Sequence, residues 1–401
     1  MTSVISKLNQ ERFTALVLAA GYSSRMVDFK PLLKFGAETV LEQIISLLSG
    51  TGISDIRVVV GYRAHDIRPI LEQRNIKWIT NEKYQDGMMS SVKAGVETID
   101  SSRDAFFVIP VDIPLIRRPT ILEMIRSFRE SGKLICYPSF LGKRGHPPLI
   151  STRYRGEILQ WEAPGGLGGF LKQKNADAID VNVTDERILL DMDTPEDYRY
   201  LLKRYEERDF PSPKECMAIL NSNLTTKDEG LVAHSCMVAE VARCLGQALN
   251  QIGYKLNLGL IVAAALLHDV ARVHPNHAKV AAQMLRDLDY PDVAEIVENH
   301  MNCSNMNGSP ITERDVVSLS DKLILGSRLV SLETRFEKQL ECSQFNKELL
   351  ELVQQRLSDA KKLMDRLEQE LGQQIAILLP EMRKKNQHEQ ISNILAQTWR
   401  S

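Results

Sequence analysis

The sequence predicts an α/β unit over roughly the first 200 residues and an all-α unit after it. In the first part, short apolar runs alternate with amphipathic helical patterns. This alternation predicts a mainly parallel sheet covered by helices on both faces. Beyond Pro213 the strand patterns stop, and a helical period continues to about Gln397. The length of 401 residues also favours two or three domains over one.

The elements of the first part follow one another regularly. The predicted strands are apolar runs at 14–20, 56–61, 76–81, 105–111, 134–138 and 179–183. The predicted helices lie between them, at 40–48, 65–73, 88–99 and 119–130. One more helix should begin after Thr194, a suitable N-cap, because Pro195 fits the first turn and Asp197 completes a capping-box pattern.

The boundaries follow from breaks in these patterns. Prolines and polar residues at 209–214 interrupt the helical period and predict a linker. We expect an α/β domain over 1–208, a linker over 209–222, a helical domain over 223–340 and a helical tail over 341–401. The tail is rich in Glu, Lys, Gln and Leu without a sustained heptad repeat, which favours a packing or dimerisation element over a catalytic one.

Composition excludes several classes of protein. The net charge of −2 predicts no basic surface for nucleic acid. The six cysteines are scattered without a Cys-x-x-Cys pair, which favours reduced thiols over disulfides or a thiolate metal site. The first ten residues are too polar for a secretory signal, and the longest apolar run, 258–267, is about half of a membrane span. We therefore expect a cytoplasmic protein with neither a nucleic-acid nor a membrane partner.

The loop after the first predicted strand is the first candidate site, because ligands of such sheets bind at the carboxyl ends of the strands. It reads Leu-Ala-Ala-Gly-Tyr-Ser-Ser-Arg-Met-Val-Asp-Phe-Lys over residues 18–30. Gly21 permits a tight turn with exposed N–H groups, and Arg25 and Lys30 add the charge that a triphosphate needs. The loop has neither the Walker A nor the dinucleotide pattern. Taken alone, it could also be a surface turn with two solvated cations.

Two carboxylates further along the chain strengthen the prediction of a nucleotide site. Asp112 ends a strongly apolar strand and is framed by two prolines. Asp193 lies in Asp-Met-Asp-Thr-Pro, immediately before the last predicted helix of this part. Magnesium prefers one or two carboxylates together with phosphate oxygens and water, so this pair indicates a Mg²⁺ site.

Two glycine-containing turns complete the candidate site. Gly87 opens a helix whose first turn carries Ser90 and Ser91, which add hydroxyl and N–H donors. A Gly-His-Pro turn begins at Gly145, between the two carboxylates in the chain.

These segments resemble a known family. Residues 18–30, Asp112-Ile-Pro, Gly145-His-Pro and Asp193-Thr-Pro occur in the order and approximate spacing of the molybdenum cofactor nucleotidyltransferases. The resemblance covers about residues 12–205. It implies a Rossmann-like nucleotidyltransferase domain, similar to sugar-nucleotide and isoprenoid cytidylyltransferases. It also implies that a nucleotide passes from a nucleoside triphosphate to a molybdopterin-type acceptor, with release of pyrophosphate.

The resemblance implies roles for individual residues. The expected nucleotide-binding residues are Leu18, Ala19, Ala20, Gly21, Ser23, Arg25, Lys30, Ser90 and Ser91. Arg25 and Lys30 are expected to stabilise charge on the triphosphate and, with Asp112, to form the catalytic set. Asp112 is the expected Mg²⁺ ligand and Asp193 the second. No covalent nucleophile is required, because the acceptor phosphate attacks the α-phosphorus directly.

Two details bear on the substrate and the loop. Leu-Ala-Ala-Gly and Gly-His-Pro are similar to the cytidylyl branch, whereas guanylyltransferases tend to have Leu-Ala-Gly-Gly. The resemblance therefore implies CTP in preference to GTP, with Ala20 as the differing residue. The family usually has glycine where this chain has Val27, and a β-branched residue is poorly tolerated at positive φ. We therefore expect a different loop path at Val27.

The second part carries six side chains of the types that bind metals. The apolar run 258–267 predicts a buried helix that leads into His268 and Asp269. A buried carboxylate is costly unless it is paired or bound to metal. The others lie on apolar helical faces, at His234, His277, His300 and Asp321. Each alone is better explained as a satisfied buried polar group, but the set indicates a metal site. Imidazole and carboxylate ligands suit iron, manganese, zinc or magnesium.

The order of these residues resembles the HD phosphohydrolase superfamily, an all-α fold, over about residues 225–335. By this resemblance His234, His268-Asp269 and Asp321 bind a first metal. His277 and His300 resemble the additional ligands of two-metal members. The resemblance implies hydrolysis of a phosphoester. Arg272 replaces a lysine found in many members and keeps a cation for phosphate.

Together these patterns predict a bifunctional enzyme: an α/β nucleotidyltransferase domain followed by an all-α HD domain with a helical tail. The first domain is expected to transfer CMP to molybdopterin, and the second to hydrolyse a phosphoester or to regulate the first. A cytidylyltransferase for another phosphate-bearing acceptor remains an alternative, as does a nucleotide sensor without catalysis. The helical tail is expected to form a homodimer or to contact a molybdoenzyme maturation partner.

Overall fold

The computed structural model describes residues 10–379, apart from 24, 27, 224–228 and 303–308. The chain divides into two compact units, Met1–Glu206 and Glu207–Ser401. Among the helices within the described ranges, none is both long and apolar enough to cross a membrane. The described cysteines, Cys136, Cys216, Cys236, Cys244 and Cys342, are all free thiols.

The first unit is built on a mixed sheet. Its strands are β1 (Phe13–Ala19), β2 (Lys34–Phe35), β3 (Glu38–Thr39), β4 (Asp55–Val60), β5 (Lys77–Thr80), β6 (Ala105–Pro110), β7 (Ile135–Phe140), β8 (Lys143–Arg144), β9 (Leu149–Ser151) and β10 (Ala178–Asn182). The main sheet has the order β10-β7-β9-β6-β1-β4-β5, with β8 beside β7, while β2 and β3 form a separate hairpin. β1 is parallel to both β4 and β6. Because the chain leaves β1 to one side and returns on the other, a crevice opens at the carboxyl ends of β1 and β6.

Helices cover this sheet. They are α1 (Val40–Gly50), α2 (Ala64–Gln73), α3 (Met88–Glu97), α4 (Arg118–Ser131), α5 (Arg155–Gln160), α6 (Gly166–Gln173) and α7 (Pro195–Glu206). All seven residues of β1 are buried, as expected for a parallel strand with helices on both faces. The α/β class is therefore confirmed, and each predicted strand and helix of this unit is present within two residues of its predicted ends.

The start of α7 shows why its prediction succeeded. The Thr194 hydroxyl accepts a hydrogen bond from the Asp197 amide at 3.2 Å, and the Asp197 carboxylate accepts one from the Thr194 amide at 2.7 Å. This reciprocal pair is the predicted capping box. By contrast β8, β9, α5 and α6 were not predicted. β9 is only three residues long and is antiparallel to β6 and β7, so its place depends on the neighbouring strands rather than on a local pattern.

The second unit is mainly helical. Its helices are α8 (Pro213–Asn223), α9 (Glu229–Gln251), α10 (Leu258–Leu267), α11 (His277–Asp287), α12 (Pro291–Asn299), α13 (Glu313–Lys322), α14 (Leu332–Ser343), α15 (Lys347–Leu371) and α16 (Ile375–Leu378). One small hairpin, β11 (Ile324–Leu325) and β12 (Arg328–Leu329), departs from the expectation that strands end at Pro213. Its turn contains Gly326 at φ 60°, a backbone conformation that favours glycine.

The apolar helix α10 has the predicted bounds and lies in the core of this unit. Its N-terminus is capped by the Asn257 side chain, which accepts from the Leu260 amide at 3.1 Å. From Ile261 to Leu267 every residue is buried. The helix therefore delivers the next residue, His268, into the interior of the unit.

The structure differs from the predicted linker at 209–222. Helix α8 occupies most of it, and Cys216, Ile219 and Leu220 are fully buried in the core of the second unit. Pro213 lies at the first helical position, where its missing N–H costs nothing, so it starts a helix rather than ending one. The predicted tail at 341–401 is helical as far as it is described. It also packs, because Ala360, Leu363 and Leu367 of α15 join the same core.

Candidate functional sites

The crevice at the ends of β1 and β6 holds a cavity of about 310 Å³. Its walls come from the loop after β1, the turn before α3 and the end of β6. Of the residues predicted to bind nucleotide or magnesium, those that line the cavity are Leu18, Ala19, Ala20, Gly21, Ser23, Lys30, Ser91 and Asp112. The structure thus brings together most of the predicted first site at the expected edge of the sheet.

An ionic cluster lies beside this cavity. Lys30 Nζ lies 2.9 Å from Asp193 Oδ1 and 3.6 Å from Asp112 Oδ2. Arg25 Nη1 lies 2.6 Å from the other oxygen of Asp193. The Lys30 side chain is only 10% exposed, whereas that of Arg25 is 73% exposed. The contact to Lys30 is therefore held inside the fold, while the exposed Arg25 pair contributes only about 0–1 kcal/mol.

The two carboxylates of this cluster differ electrostatically. Burial raises the pKa of Asp112, and the charge on Asp193 adds to this, although Lys30 opposes it. The hydrogen bond from Lys30 lowers the pKa of Asp193, and Arg25 lowers it further. Two carboxylates at the mouth of a cleft, one of which disfavours the charge of the other, are a suitable donor set for a divalent cation. Asp112 and Asp193 therefore fit Mg²⁺.

The loop after β1 turns in a different place from the one predicted. Among the described residues of this loop, Ser23 is left-handed, at φ 56°, whereas Gly21 is not. The Ser23 hydroxyl accepts from the Lys30 amide at 3.1 Å, which holds both ends of the loop together. A Cβ added at Gly21 would meet no atom within 4 Å, so the fold itself does not require glycine there. Val27, at which we expected a different loop path, lies outside the described residues.

The serines predicted to bind nucleotide are used by the protein itself. Asn81 Nδ2 donates to Ser90 Oγ at 2.8 Å and to Ser91 Oγ at 3.0 Å. Ser90 Oγ also donates to a backbone carbonyl at 2.8 Å. The Gly87 turn before α3 is at φ 91°, so glycine is required there. Asn81, which the sequence did not single out, fixes the geometry of this turn.

Several residues of the cavity were missed from the sequence. Tyr22, Tyr84, Gln85 and Met88 line it beside the predicted residues. The Tyr22 ring lies 5.3 Å from that of Tyr84 and 5.1 Å from that of Tyr62. The sequence partly indicated the two tyrosines as cavity residues. Tyr22 adjoins the glycine of the first loop, and Tyr84 lies between a strand and a glycine turn.

The second site is a cluster of buried histidines and carboxylates in the helical unit. His268 directly follows α10, and His300 directly follows α12. Two groups of three residues have ligand atoms that all lie within 4.8 Å of one another, and His268 belongs to both. The groups are His234, His268 and Asp321, and His268, Asp269 and His300. All five residues are buried. The structure therefore joins five of the six predicted metal ligands.

The three buried histidines share one orientation. Nδ1 of His234 donates to the Gly326 carbonyl at 2.9 Å. Nδ1 of His268 and of His300 each donate at 2.7 Å to the carbonyl three residues earlier in the chain. Because a carbonyl only accepts, each Nδ1 carries a proton, which leaves Nε2 as the nitrogen that can bind a metal when the ring is neutral. This arrangement holds imidazoles as metal ligands in proteins.

The imidazole nitrogens lie close to the carboxylate oxygens of this cluster. His234 Nε2 lies 3.2 Å from Asp321 Oδ1, and His268 Nε2 lies 3.5 Å from the same oxygen. His268 Nε2 is buried and makes no hydrogen bond to any described residue. A buried imidazole nitrogen that makes no hydrogen bond within the described ranges and lies beside two carboxylates fits a divalent cation as a ligand.

His277 lies at the edge of this centre. Its Nε2 is 3.5 Å from Asp269 Oδ1, its side chain is 27% exposed, and its ring lies 5.8 Å from that of His300. Burial lowers the pKa of His300 to about 4, and the charge on His268 adds to this. For His268, burial opposes protonation, but hydrogen bonding and the two carboxylates outweigh it and raise the pKa. The two buried histidines therefore differ: burial disfavours a charged His300, whereas the neighbouring carboxylates favour a charged His268.

The comparisons with known proteins agree with this division. The family model described as "MobA-like NTP transferase domain" matches residues 15–178, and the model described as "HD domain" matches residues 231–326. The chain belongs to the MobA-like nucleotidyltransferase family, and it also carries an HD domain of the kind typical of phosphohydrolases.

Individual relatives are similar to the first unit. The molybdenum cofactor cytidylyltransferase of Escherichia coli is 31% identical over 193 residues, which cover 48% of this chain and 96% of that protein. An uncharacterized protein of Methanocaldococcus jannaschii is 30% identical over 132 residues, covering 28% of this chain and 78% of the relative. The solved structure of a nucleotidyl transferase from Methanothermobacter thermautotrophicus is 18% identical in sequence, with a TM-score of 0.43. The match covers 49% of this chain and 98% of that protein's chain.

Proposed function

We propose that the first unit transfers CMP from CTP to a molybdopterin-type acceptor in the presence of Mg²⁺ and releases pyrophosphate. The observation that carries this proposal is the meeting of Lys30, Asp112 and Asp193 at the cavity mouth. The similarity to a molybdenum cofactor cytidylyltransferase over almost its whole length supports the choice of acceptor and nucleotide. Ala20, in the cytidylyl form of the loop, supports CTP.

The reaction requires position and charge rather than a protein nucleophile. An oxygen of the acceptor phosphate attacks the α-phosphorus of CTP, and the bond from that phosphorus to the bridging oxygen of the β-phosphate breaks. Pyrophosphate leaves with the electron pair, and the acceptor gains CMP. Asp112 and Asp193 would hold Mg²⁺, which would neutralise charge on the phosphates. Lys30, almost buried beside the cavity, stabilises the charge that develops on the phosphates.

The ion pairs also suggest how the nucleotide gains its cations. Asp193 contacts both Arg25 and Lys30. Triphosphate oxygens compete with this carboxylate for the same two cations. The Arg25 contact is exposed and therefore weak, so it exchanges first. Asp193 would then be released to hold Mg²⁺, so the same carboxylate would act first as an internal partner and then as a metal ligand.

A panel of nucleotides tests the transferase proposal. The full chain with Mg²⁺ is incubated with CTP, GTP, ATP or UTP, with and without molybdopterin acceptor, and pyrophosphate is measured. We expect release that depends on the acceptor and is fastest with CTP. Release only with a sugar or alcohol phosphate would favour the alternative cytidylyltransferase. No release with any pair would contradict enzymatic transfer and favour a nucleotide sensor.

We also propose that the HD unit binds iron, manganese or zinc and hydrolyses a phosphoester. The supporting observation is the set of three imidazoles whose Nε2 atoms face Asp269 and Asp321. A metal-loaded chain tested on generic phosphodiesters and nucleotides should release product, and loss of metal should abolish it. A regulatory role is the alternative. It predicts no hydrolysis, but a transferase rate that changes with metal loading of the HD unit.

The exposed leucines of the helical tail support a proposal that the tail contacts another protein chain. Leu349 and Leu352 of α15 are 44% and 46% exposed, although other leucines of that helix are buried. We propose that this part of α15 packs on a second copy of the chain or on a molybdoenzyme maturation partner. Light scattering on the full chain and on a Leu349→Glu, Leu352→Glu variant tests the first possibility: a dimer should become a monomer.

A further inference from the structure

A cation outside the segment matched by the HD family model approaches the metal centre. Arg335 belongs to α14, whereas the match ends at residue 326. Its Nη2 lies 3.8 Å from Asp321 Oδ1, and its side chain is 22% exposed. Leu332 and Phe336 on the same helix are buried, so α14 is anchored on both sides of Arg335. The fold therefore holds this guanidinium near the ligands.

The contacts of Arg335 are incomplete. A guanidinium offers five N–H donors. Among the described residues, its Nε is buried without a hydrogen-bond partner, and its one ion pair is the 3.8 Å approach to Asp321. A structural arginine–carboxylate pair is normally shorter, near 2.7–2.9 Å, and often bidentate. Arg335 is therefore placed beside the centre without being satisfied by it.

Asp321 does not need this arginine as a partner. Its Oδ1 is also the nearest carboxylate oxygen to His234 Nε2 and His268 Nε2, at 3.2 and 3.5 Å. A divalent cation bound by these residues balances the charges of Asp269 and Asp321, which leaves Arg335 as an excess positive charge. A guanidinium fork matches the oxygens of a phosphate group, and its unmet donors then have acceptors.

Arg272 is the other cation near the carboxylates, and it differs from Arg335. Its Nη1 lies 3.7 Å from Asp269 Oδ2, but its side chain is 58% exposed. A well-solvated guanidinium loses more hydration when it binds an anion and is less restricted beforehand. Arg335 is thus the better preorganised of the two.

We propose that Arg335 binds the anionic phosphoryl oxygens of the ligand at the HD centre, which is a phosphate or a phosphoester. The proposal deepens the proposed phosphohydrolase function and rests on it for the identity of the ligand class. Arg335 extends the site beyond the segment shared with the family, into the helix that leads toward the tail.

Calorimetric titration of inorganic phosphate into the Mn²⁺-loaded full chain tests the proposal. The variants are Arg335→Ala and, as a matched control, Lys338→Ala, which removes an exposed cation three residues further along the same helix. Metal content and circular dichroism are measured for each protein. Arg335→Ala should keep its metal and bind phosphate roughly tenfold more weakly or worse, because it loses charged hydrogen bonds. Lys338→Ala should match the wild type. If Arg335→Ala does not fold, Arg335→Gln, which keeps a polar head without charge, replaces it.

Equal phosphate affinity in the wild type and the Arg335 variant would overturn the proposal. Loss of metal in a folded Arg335 variant would also overturn it, because Arg335 would then support the centre rather than the ligand. If the wild-type chain takes up no metal or binds no phosphate, the proposal that Arg335 binds a phosphoryl ligand is also overturned. A wild type that binds both, loses phosphate affinity on substitution and yet hydrolyses no phosphoester contradicts only the hydrolase function. Failure of the Arg335 proposal and failure of the hydrolase function therefore give different results.

Discussion

The ammonium group of Lys30 lies 2.9 Å from a carboxylate oxygen of Asp193, although 163 residues separate them in the chain. Lys30 belongs to the loop after the first strand, and Asp193 immediately precedes the last helix of the same unit. The contact therefore joins the beginning of this unit to its end. The cation and the carboxylate reach their positions only when the whole α/β unit has folded.

Replacing Lys30 should remove most of the transferase activity. We expect Lys30→Ala to lower the rate of pyrophosphate release on the order of 10²–10³-fold, the effect of losing one preorganised charge donor. The measurement is pyrophosphate release from CTP at saturating Mg²⁺ and acceptor. Lys34→Ala is the control, because Lys34 is exposed and its ammonium makes, within the described part of the chain, only a 3.5 Å contact to the Ala37 carbonyl. Similar rates in the two variants would contradict the role of Lys30.

Ala20 should contribute to the choice of nucleotide. Its methyl group is almost fully buried and packs at Gly61, where an added Cβ would lie 2.9 Å from it. We expect Ala20→Gly to loosen this part of the loop and to lower the ratio of kcat/KM for CTP over GTP several-fold. The stability cost should stay near 1 kcal/mol, the effect of one buried methyl group. An unchanged ratio would locate the preference elsewhere in the cavity.

The buried carboxylate of Asp55 should make the first unit sensitive to acid. Burial alone raises the pKa of Asp55, but hydrogen bonds from Arg57 and from Thr14 outweigh it and lower the pKa. Arg57 Nε donates to Asp55 Oδ1 at 2.9 Å, and Thr14 Oγ1 donates to Asp55 Oδ2 at 2.8 Å. Because the folded-state pKa lies below the unfolded value of about 3.9, this stabilisation is complete above that value and is lost as the pH falls through the folded pKa.

We therefore expect Asp55→Asn to destabilise the first unit by about 2–4 kcal/mol at neutral pH, and by progressively less below about pH 4. Tryptophan fluorescence can follow unfolding, since Trp78 and Trp161 both lie in this unit. Asp104→Asn is the control, because its ion pair with Arg12 is exposed and should contribute about 0–1 kcal/mol. A difference that does not depend on pH would contradict this prediction.

Metal content should depend on His268 more than on a nearby exposed histidine. His268 is fully buried, and its Nε2 lies within 3.7 Å of both Asp269 and Asp321. We expect His268→Ala to weaken binding of Mn²⁺ or Zn²⁺ by more than the 10–100-fold that outer contacts contribute. His274→Ala, at an exposed position outside the cluster, should keep the wild-type content. Elemental analysis after dialysis measures both, and full metal retention in His268→Ala would contradict the proposed centre.

Gly145 should tolerate no larger residue. A Cβ at this position would lie 2.5 Å from the Ile188 carbonyl oxygen, which already accepts from the His146 amide at 2.9 Å. We expect Gly145→Ala to destabilise the first unit by about 1–3 kcal/mol and to slow pyrophosphate release, because the displaced segment, a short 3-10 helix over Glu186–Leu189, leads toward Asp193. Gly156→Ala is the control, since a Cβ there meets no atom within 4 Å. Equal melting temperatures in the two variants would contradict the predicted clash.

The parts of the fold that could be predicted are those with a strong local pattern. β1 and β6 are continuous apolar runs because helices cover both faces of the sheet. β9 could not be found in this way, because its three residues follow two prolines and find their place through long-range pairing. Helix α8 was also hidden, since Pro213 at its first turn looks like the end of a pattern.

The site residues show the same distinction. The sequence indicated Lys30, Asp112 and Asp193, but not that Asp193 contacts both cations, because that contact depends on how the unit closes. It indicated the histidines as possible ligands. It could not show that His268 and His300 donate to carbonyls three residues earlier, since this depends on where each helix ends. Tyr84 was missed because its position between a strand and a glycine turn, in the short 3-10 helix Tyr84–Asp86, does not by itself indicate that its side chain lines a cavity.

The presence of two compact units on one polypeptide fixes their stoichiometry. Each copy of the nucleotidyltransferase is synthesised together with one HD domain, so a change in gene expression alters both by the same factor. The balance between the two sites cannot be set by separate synthesis. If both proposed activities hold, it would depend on the supply of their substrates or on how many HD centres carry the proposed metal.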